Sequence, residues 1–207
     1  MSPLPERMTN HWWWRPGVRP DRRLYVWHIL FADQQEVPPL AQSCQALLAQ
    51  VPGLDLVPKP WLHMTTQIIG FADEISDAEI ESMREEATKR LQLLAPVPVA
   101  LGRPLFHSEA VMLGARPARA LDPVREAIRD AIANTRVHQL ADAPDWTPHL
   151  TIAYSNREAP AAPVIEAMRE APPAIDVVVK QVSLVSQKRV GRLYRWDRIA
   201  DVPLGIA

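Results

Sequence analysis

The chain has 207 residues, 47% of them hydrophobic, enough to bury a core as one domain or as two small lobes sharing a cleft. A formal net charge of −1 argues against a surface built to hold long nucleic acids, which needs many clustered cations, and no DNA partner is expected. The single cysteine, Cys44, rules out an internal disulfide, no signal-peptide core occupies the first thirty residues, and the longest mainly apolar stretch, Leu24 to Ala32, is far short of the roughly 20 residues that cross a bilayer. The expectation is a soluble cytoplasmic monomer without membrane contact.

Residues 1–21 hold Pro3, Pro5, Pro16 and Pro20 around Trp12-Trp13-Trp14, and read as an arm without regular structure, leaving residues 22–207 as one domain. Leu24 to Phe31, rich in β-branched and aromatic residues, reads as a buried strand carrying His28. Leu40, Cys44, Leu47, Leu48 and Val51 form one helical stripe ended by Pro52-Gly53, which makes Cys44 a core residue. Leu62 to Ile69 is a strand bearing His63. A helix then opens at Ser76, where Glu79 completes a capping box, and buries Ile80, Met83, Ala87, Leu91 and Leu94. Strands follow at Pro96 to Leu101 and Glu109 to Ala115, joined by a connection from Gly102 to Ser108. Asp122 as cap and Pro123 in the first turn signal the next helix, with Val124, Ala127, Ile128, Ala131 and Ile132 on one face. His149 to Tyr154 is a strand, about 162–170 a short helix, and Ile175 to Ser186 and Arg192 to Arg198 are two strands around a turn near Gly191. The order of strand, helix, strand, strand recurs in the two halves. That repetition predicts an α+β fold: a bilobal, pseudo-twofold duplication of antiparallel sheets with flanking helices and an active site in the cleft between lobes.

Each half's leading strand carries His-x-Thr: His63/Thr65 and His149/Thr151. Alternation along a strand places His63, Thr65 and Gln67 on one face, and His149 with Thr151 likewise. Imidazole takes or gives a proton near neutrality, and a threonine hydroxyl donates to an anionic oxygen. Two such units facing each other put a base on the attacking side of phosphorus and an acid on the leaving side, with hydroxyls on the equatorial oxygens and no call for a metal. A zinc site on His63 and His149 lacks a third ligand, and no Gly-rich loop suggests a nucleotide cofactor, so no metal and no cofactor are expected. His28 lacks a hydroxyl neighbour and either lines the cleft or packs. His107 and His138 read as surface.

The segments LHMTTQIIGF and TPHLTIAY resemble those of the 2H phosphoesterase superfamily, in particular 2′-5′ RNA ligase-like proteins and their cyclic-phosphodiesterase relatives, over residues 22–198. The resemblance implies the bilobal fold, the four motif residues as catalytic centre, and cleavage or formation of 2′-linked phosphodiesters. Where relatives often carry an arginine or another polar residue after the second motif, this chain has Ala153-Tyr154-Ser155-Asn156, which makes Tyr154 a candidate for the phosphate. A segment resembling the family's closing hairpin adds Lys188, Arg192 and Tyr194. The expected activity is hydrolysis of a 2′,3′-cyclic phosphate or related small cyclic phosphodiester on a nucleotide or RNA end. RNA 2′-5′ ligation or RNA-end processing is the alternative, and a non-catalytic nucleotide- or RNA-binding module the alternative of another class. Arg15, Arg19, Arg22 and Arg23 near the start and Lys188, Arg189, Arg192, Arg195 and Arg198 near the end are either salt-bridged faces or two basic ends meeting around an anion. The tryptophan run is expected to pack rather than to stack on bases.

Overall fold

The computed structural model describes residues 4–135 and 146–205; His138 lies outside them. The strands are β1 Arg7–Met8, β2 Leu24–Leu30, β3 Leu54–Leu56, β4 His63–Phe71, β5 Val97–His107, β6 Ala110–Arg116, β7 His149–Ser155, β8 Ala159–Pro160, β9 Ile175–Val179, β10 Gln181–Arg189 and β11 Tyr194–Pro203. The helices are α1 Val37–Leu48, α2 Asp77–Leu91, α3 Asp122–Asn134 and α4 Ala162–Ala167. Two antiparallel sheets form the lobes, one in the order β4-β2-β10-β11 and the other β3-β7-β6-β5-β9. None of the helices among the described residues is long and apolar enough to cross a membrane.

The repeat is real but interleaved. The order β2-α1-β4-α2-β5 recurs as β6-α3-β7-α4-β10, and in each repeat the last strand joins the other repeat's sheet: β5 pairs with β6, and β10 with β2. The helices cross as well. Helix α1, from the first repeat, packs on β7 and β9, whereas α3, from the second, packs on β4 and α2. Local sequence explains the helices: Ser76 accepts from the Glu79 N–H while the Glu79 carboxylate accepts from the Ser76 N–H at 2.9 Å, and Ile80, Met83, Ala87 and Leu91 are buried. Pro123 sits in the first turn of α3, with Leu121 rather than Asp122 at the cap position. Cys44 is fully buried, and burial pushes its thiol up to about 11.

Four expectations are corrected. Residues 1–21 are not without regular structure, because β1 pairs with β8; Met8 joins the core and Trp12 packs into it as expected, while Trp13 and Trp14 stay exposed. Gly102 does not end its strand: at φ 146° it carries β5 through a bulge, and a Cβ there would meet the Ala174 Cα at 2.7 Å. The segment from Ile175 to Ser186 is two strands, parted at Lys180, with β9 on one lobe and β10 on the other. The final strand begins at Tyr194 and runs to Pro203.

Candidate active site

The two His-x-Thr strands, β4 and β7, lie beside each other without sharing a ladder, so the cleft runs between them. A turn ending in Trp61-Leu62 delivers His63, whose Nδ1–H donates to the Trp61 carbonyl at 2.8 Å. His149 does the same with the Thr147 carbonyl at 2.7 Å. A carbonyl can only accept, so each ring carries its proton on Nδ1 and leaves Nε2 for other partners. Between the lobes, the Trp146 indole N–H donates to the Thr65 carbonyl at 3.1 Å and ties the approach to one motif onto the other.

His63 is walled by aromatic rings, with His28 at 4.3 Å and Trp196 at 4.8 Å between centroids, and Trp61 against Trp196. Burial pushes its pKa down to about 4, against the Trp61 hydrogen bond, and the charge of His149 adds to the effect. His149 is also lowered, chiefly by burial, with His107 contributing. Both imidazoles are therefore neutral at pH 7 in the unliganded protein. His28 is fully buried, bonded to Gln187 at 2.9 Å, and held well below its ordinary value by burial and by His63.

A bulge follows each motif threonine. His28 faces Thr65 but Trp27 faces Gln67, so Thr66 is the extra residue. Met112 faces Thr151 and Val111 faces Ala153, so Ile152 is its counterpart. Freed carbonyls at both bulges are taken by the crossing helices: Arg125 of α3 donates to Thr66 at 3.3 Å, and Gln45 of α1 donates to Ile152 at 2.9 Å. The bulge moves the next cleft-facing position from the fourth to the fifth residue after the histidine. Gln67 is thereby turned to the helical face, where it accepts from Arg129 at 3.3 Å and donates to the Ile68 carbonyl, correcting the expectation that it shares the face of His63 and Thr65. Its place is taken by Ile68 in one lobe and Tyr154 in the other.

Tyr154 is buried, with its phenol beside the Thr151 hydroxyl, and burial pushes its pKa up. His11 stacks on it at 4.1 Å and bonds to Tyr194 at 3.0 Å and Glu109 at 3.1 Å. The His11 pKa falls to about 4, through burial first and the Arg15 charge second. Burial works against the charge on Glu109, but the Trp13 indole N–H, Arg15 and His11 outweigh it and hold its pKa below the usual range. Tyr194 therefore borders this side of the cleft. Arg192 pairs with Asp55 at 3.4 Å at the hairpin's tip. Lys188, by contrast, alternates with Gln187 and Arg189 along β10, and it is these two that face the site, so Lys188 points away. Most of the basic residues are matched locally: Arg22 with Asp73 and Glu74, Arg23 with Asp197, Arg198 with Asp201. No group of three or more His, Cys, Asp or Glu able to hold a metal occurs among the described residues.

The sequence model of the 2′-5′ RNA ligase superfamily matches residues 31–191. The chain belongs to this superfamily. A crystal structure of a phosphoesterase superposes with a TM-score of 0.66 at 18% identity, covering 90% of this chain and 100% of its own. The TT0787 protein of Thermus thermophilus superposes at 0.65 and 16% identity, over 87% of this chain and 97% of its own. E. coli LigT complexed with 3′-AMP gives 0.61 and 17%, over 88% and 98%. These likenesses show the superfamily's fold; among curated proteins no match is found. Residues 1–30, including His11 and the tryptophan run, precede the matched region. His11, Gln187, Trp196 and Asp55 were not singled out in the sequence. Only Gln187 had a usable signal, as the residue alternating with Lys188.

Proposed function

We propose that the chain is a metal-independent phosphoesterase that opens 2′,3′-cyclic phosphates or related small cyclic phosphodiesters, with His63 and His149 as general base and general acid and Thr65 and Thr151 donating to the phosphoryl oxygens. What carries this reading is the matched tautomer: each imidazole is fixed by its Nδ1–H and left with Nε2 open from its own side of the cleft. One Nε2 takes a proton from water as the new oxygen–phosphorus bond forms. The other, protonated, gives its proton to the ribose oxygen as that phosphorus–oxygen bond breaks. The negative charge of a phosphate entering the cleft acts against the burial that lowers both rings and favours the one protonated ring that the reaction needs. E. coli LigT has been crystallised with 3′-AMP, ATP, phosphate and NADP+, which supports a small phosphate-bearing ligand for a protein of this fold. Ligation is the same chemistry reversed, with a ribose hydroxyl in place of water.

The test is turnover of a 2′,3′-cyclic mononucleotide by the purified protein, run beside 2′-5′ joining of RNA ends and retention of labelled RNA. Hydrolysis with EDTA present is expected. Loss of activity with chelator, restored by zinc or manganese, overturns the metal-independent mechanism, and retention of RNA without turnover leaves a binding module.

A further inference from the structure

Of the seven tryptophans, Trp13 and Trp14 alone are markedly exposed among the described residues, each 50% accessible, and they are neighbours. The segment that carries them is pinned before the pair, where the Thr9 N–H donates to the Ser108 carbonyl at 2.7 Å, the His11 N–H to Ser155 at 2.8 Å and the buried Trp12 indole N–H to Asp55 at 2.8 Å, and after it by Arg15, which donates to Glu109 at 2.6 Å. Trp13 is held by its edge, its indole N–H donating to Glu109 at 2.9 Å, which leaves ring face accessible. The Arg189 guanidinium lies 4.1 Å from the Trp14 ring centre, and Arg15 lies 4.9 Å from that of Trp13. Among the described residues Arg189 is hydrogen-bonded only to the Trp13 and Gly191 carbonyls, so its charge has no carboxylate partner.

This surface adjoins the cleft on both sides. Glu109, which holds Trp13, stands in the β5–β6 turn, next to Ala110, which faces Tyr154 on the motif strand β7. Arg189, beside Trp14, lies on the face of β10 that presents Gln187 to His28, next to His63. Rigid, half-exposed aromatic faces edged by cations are what an unpaired base needs, since every base has a face to stack and a phosphate to neutralise.

We infer that Trp13 and Trp14, with Arg189, form a stacking subsite for the unpaired nucleotides immediately 5′ of an RNA's terminal cyclic phosphate. The inference rests on the phosphoesterase reading and narrows it: the substrate is a single-stranded RNA end rather than a free mononucleotide. Stacking also reconciles an RNA substrate with a net charge of −1, because affinity gained from ring faces does not depend on counterion release.

The experiment compares kcat/KM for a tetranucleotide ending in a 2′,3′-cyclic phosphate with kcat/KM for the cyclic mononucleotide, in wild type, in Trp13→Leu/Trp14→Leu, and in Trp13→Phe/Trp14→Phe. Wild type should favour the tetranucleotide by roughly tenfold or more, the leucine pair should lose most of that ratio, and the phenylalanine pair should keep most of it. A ratio near one in wild type, or one equal in the leucine pair, overturns the subsite. Tryptophan fluorescence is titrated with the same tetranucleotide in parallel: saturable quenching in wild type that is lost in the leucine pair supports the subsite, and its absence overturns it. If neither substrate turns over, the phosphoesterase reading fails, while the titration still decides the subsite.

Discussion

Each motif histidine gives one ring nitrogen to a backbone carbonyl and so has a single nitrogen left for protons, while burial holds both below the ordinary pKa of 6.5. If one must start neutral and the other protonated, kcat/KM is bell-shaped, and with both lowered the maximum falls on the acid side of pH 6.5. A profile of kcat/KM against pH for the cyclic mononucleotide checks this; a plateau extending well above about pH 7 contradicts it. His63→Ala and His149→Ala should each abolish most of the rate, and the double variant should be little worse, because groups acting as a unit are not additive. Thr65→Ala and Thr151→Ala should keep the fold and slow turnover by about 10- to 1000-fold, the range for losing one oxyanion donor. The motif residues were legible because histidine and threonine two apart on an apolar strand have only one way to share a face. His11 was not, because what makes it part of the site is its stacking on Tyr154, a residue remote in sequence.

At the level of elements, helices and motif strands were readable where periodicity and caps agree, as at Ser76 and Glu79. The paired bulges at Thr66 and Ile152 were not, since neither glycine nor proline marks them and both residues are ordinary strand formers. What fixes them is tertiary: a helix side chain arriving from the other repeat to donate a hydrogen bond to the freed carbonyl. For Gln45, which donates both to Ile152 and to Val57 at 2.7 Å, Gln45→Leu should therefore destabilise the protein by about 1–3 kcal/mol, the cost of leaving a buried carbonyl short of a donor. Urea midpoints of the two proteins measure it, and an unchanged midpoint would show that the Val57 N–H, which also donates to Ile152, suffices alone. The same unmarked bulge is why simple alternation points to Gln67 and away from Tyr154, one residue further along its own strand.

Across the whole molecule, four histidines, the buried His11, His28 and His63 and the partly buried His149, are held below 6.5 in the folded state. The unfolded chain takes up these protons near pH 6.5 while the native one resists, so their contribution is fully present above that pH and is lost as pH falls toward the folded values, about 4 for His11 and His63. Thermal midpoints by circular dichroism should drop between pH 6.5 and 4, and a midpoint that is flat or rises over that interval contradicts the burial of these rings. The overall class, two antiparallel lobes from a duplicated order of elements, was open to inspection in the sequence; which sheet each strand joins was not, because the pairing of β10 with β2 joins opposite ends of the chain and is decided by shape.

The interleaving reaches further, into how such a chain can be divided. Residues 24–107 leave β3 and β5 without any ladder partner and β2 without β10, so one repeat is not a smaller protein with one His-x-Thr motif but a fragment with bare edges. Severed at the Ser108–Glu109 turn, the two polypeptides have no independent fold to fall back on, yet each carries the strands the other lacks. Their recombination should behave as a single binding-coupled folding event, which makes this architecture a natural split protein.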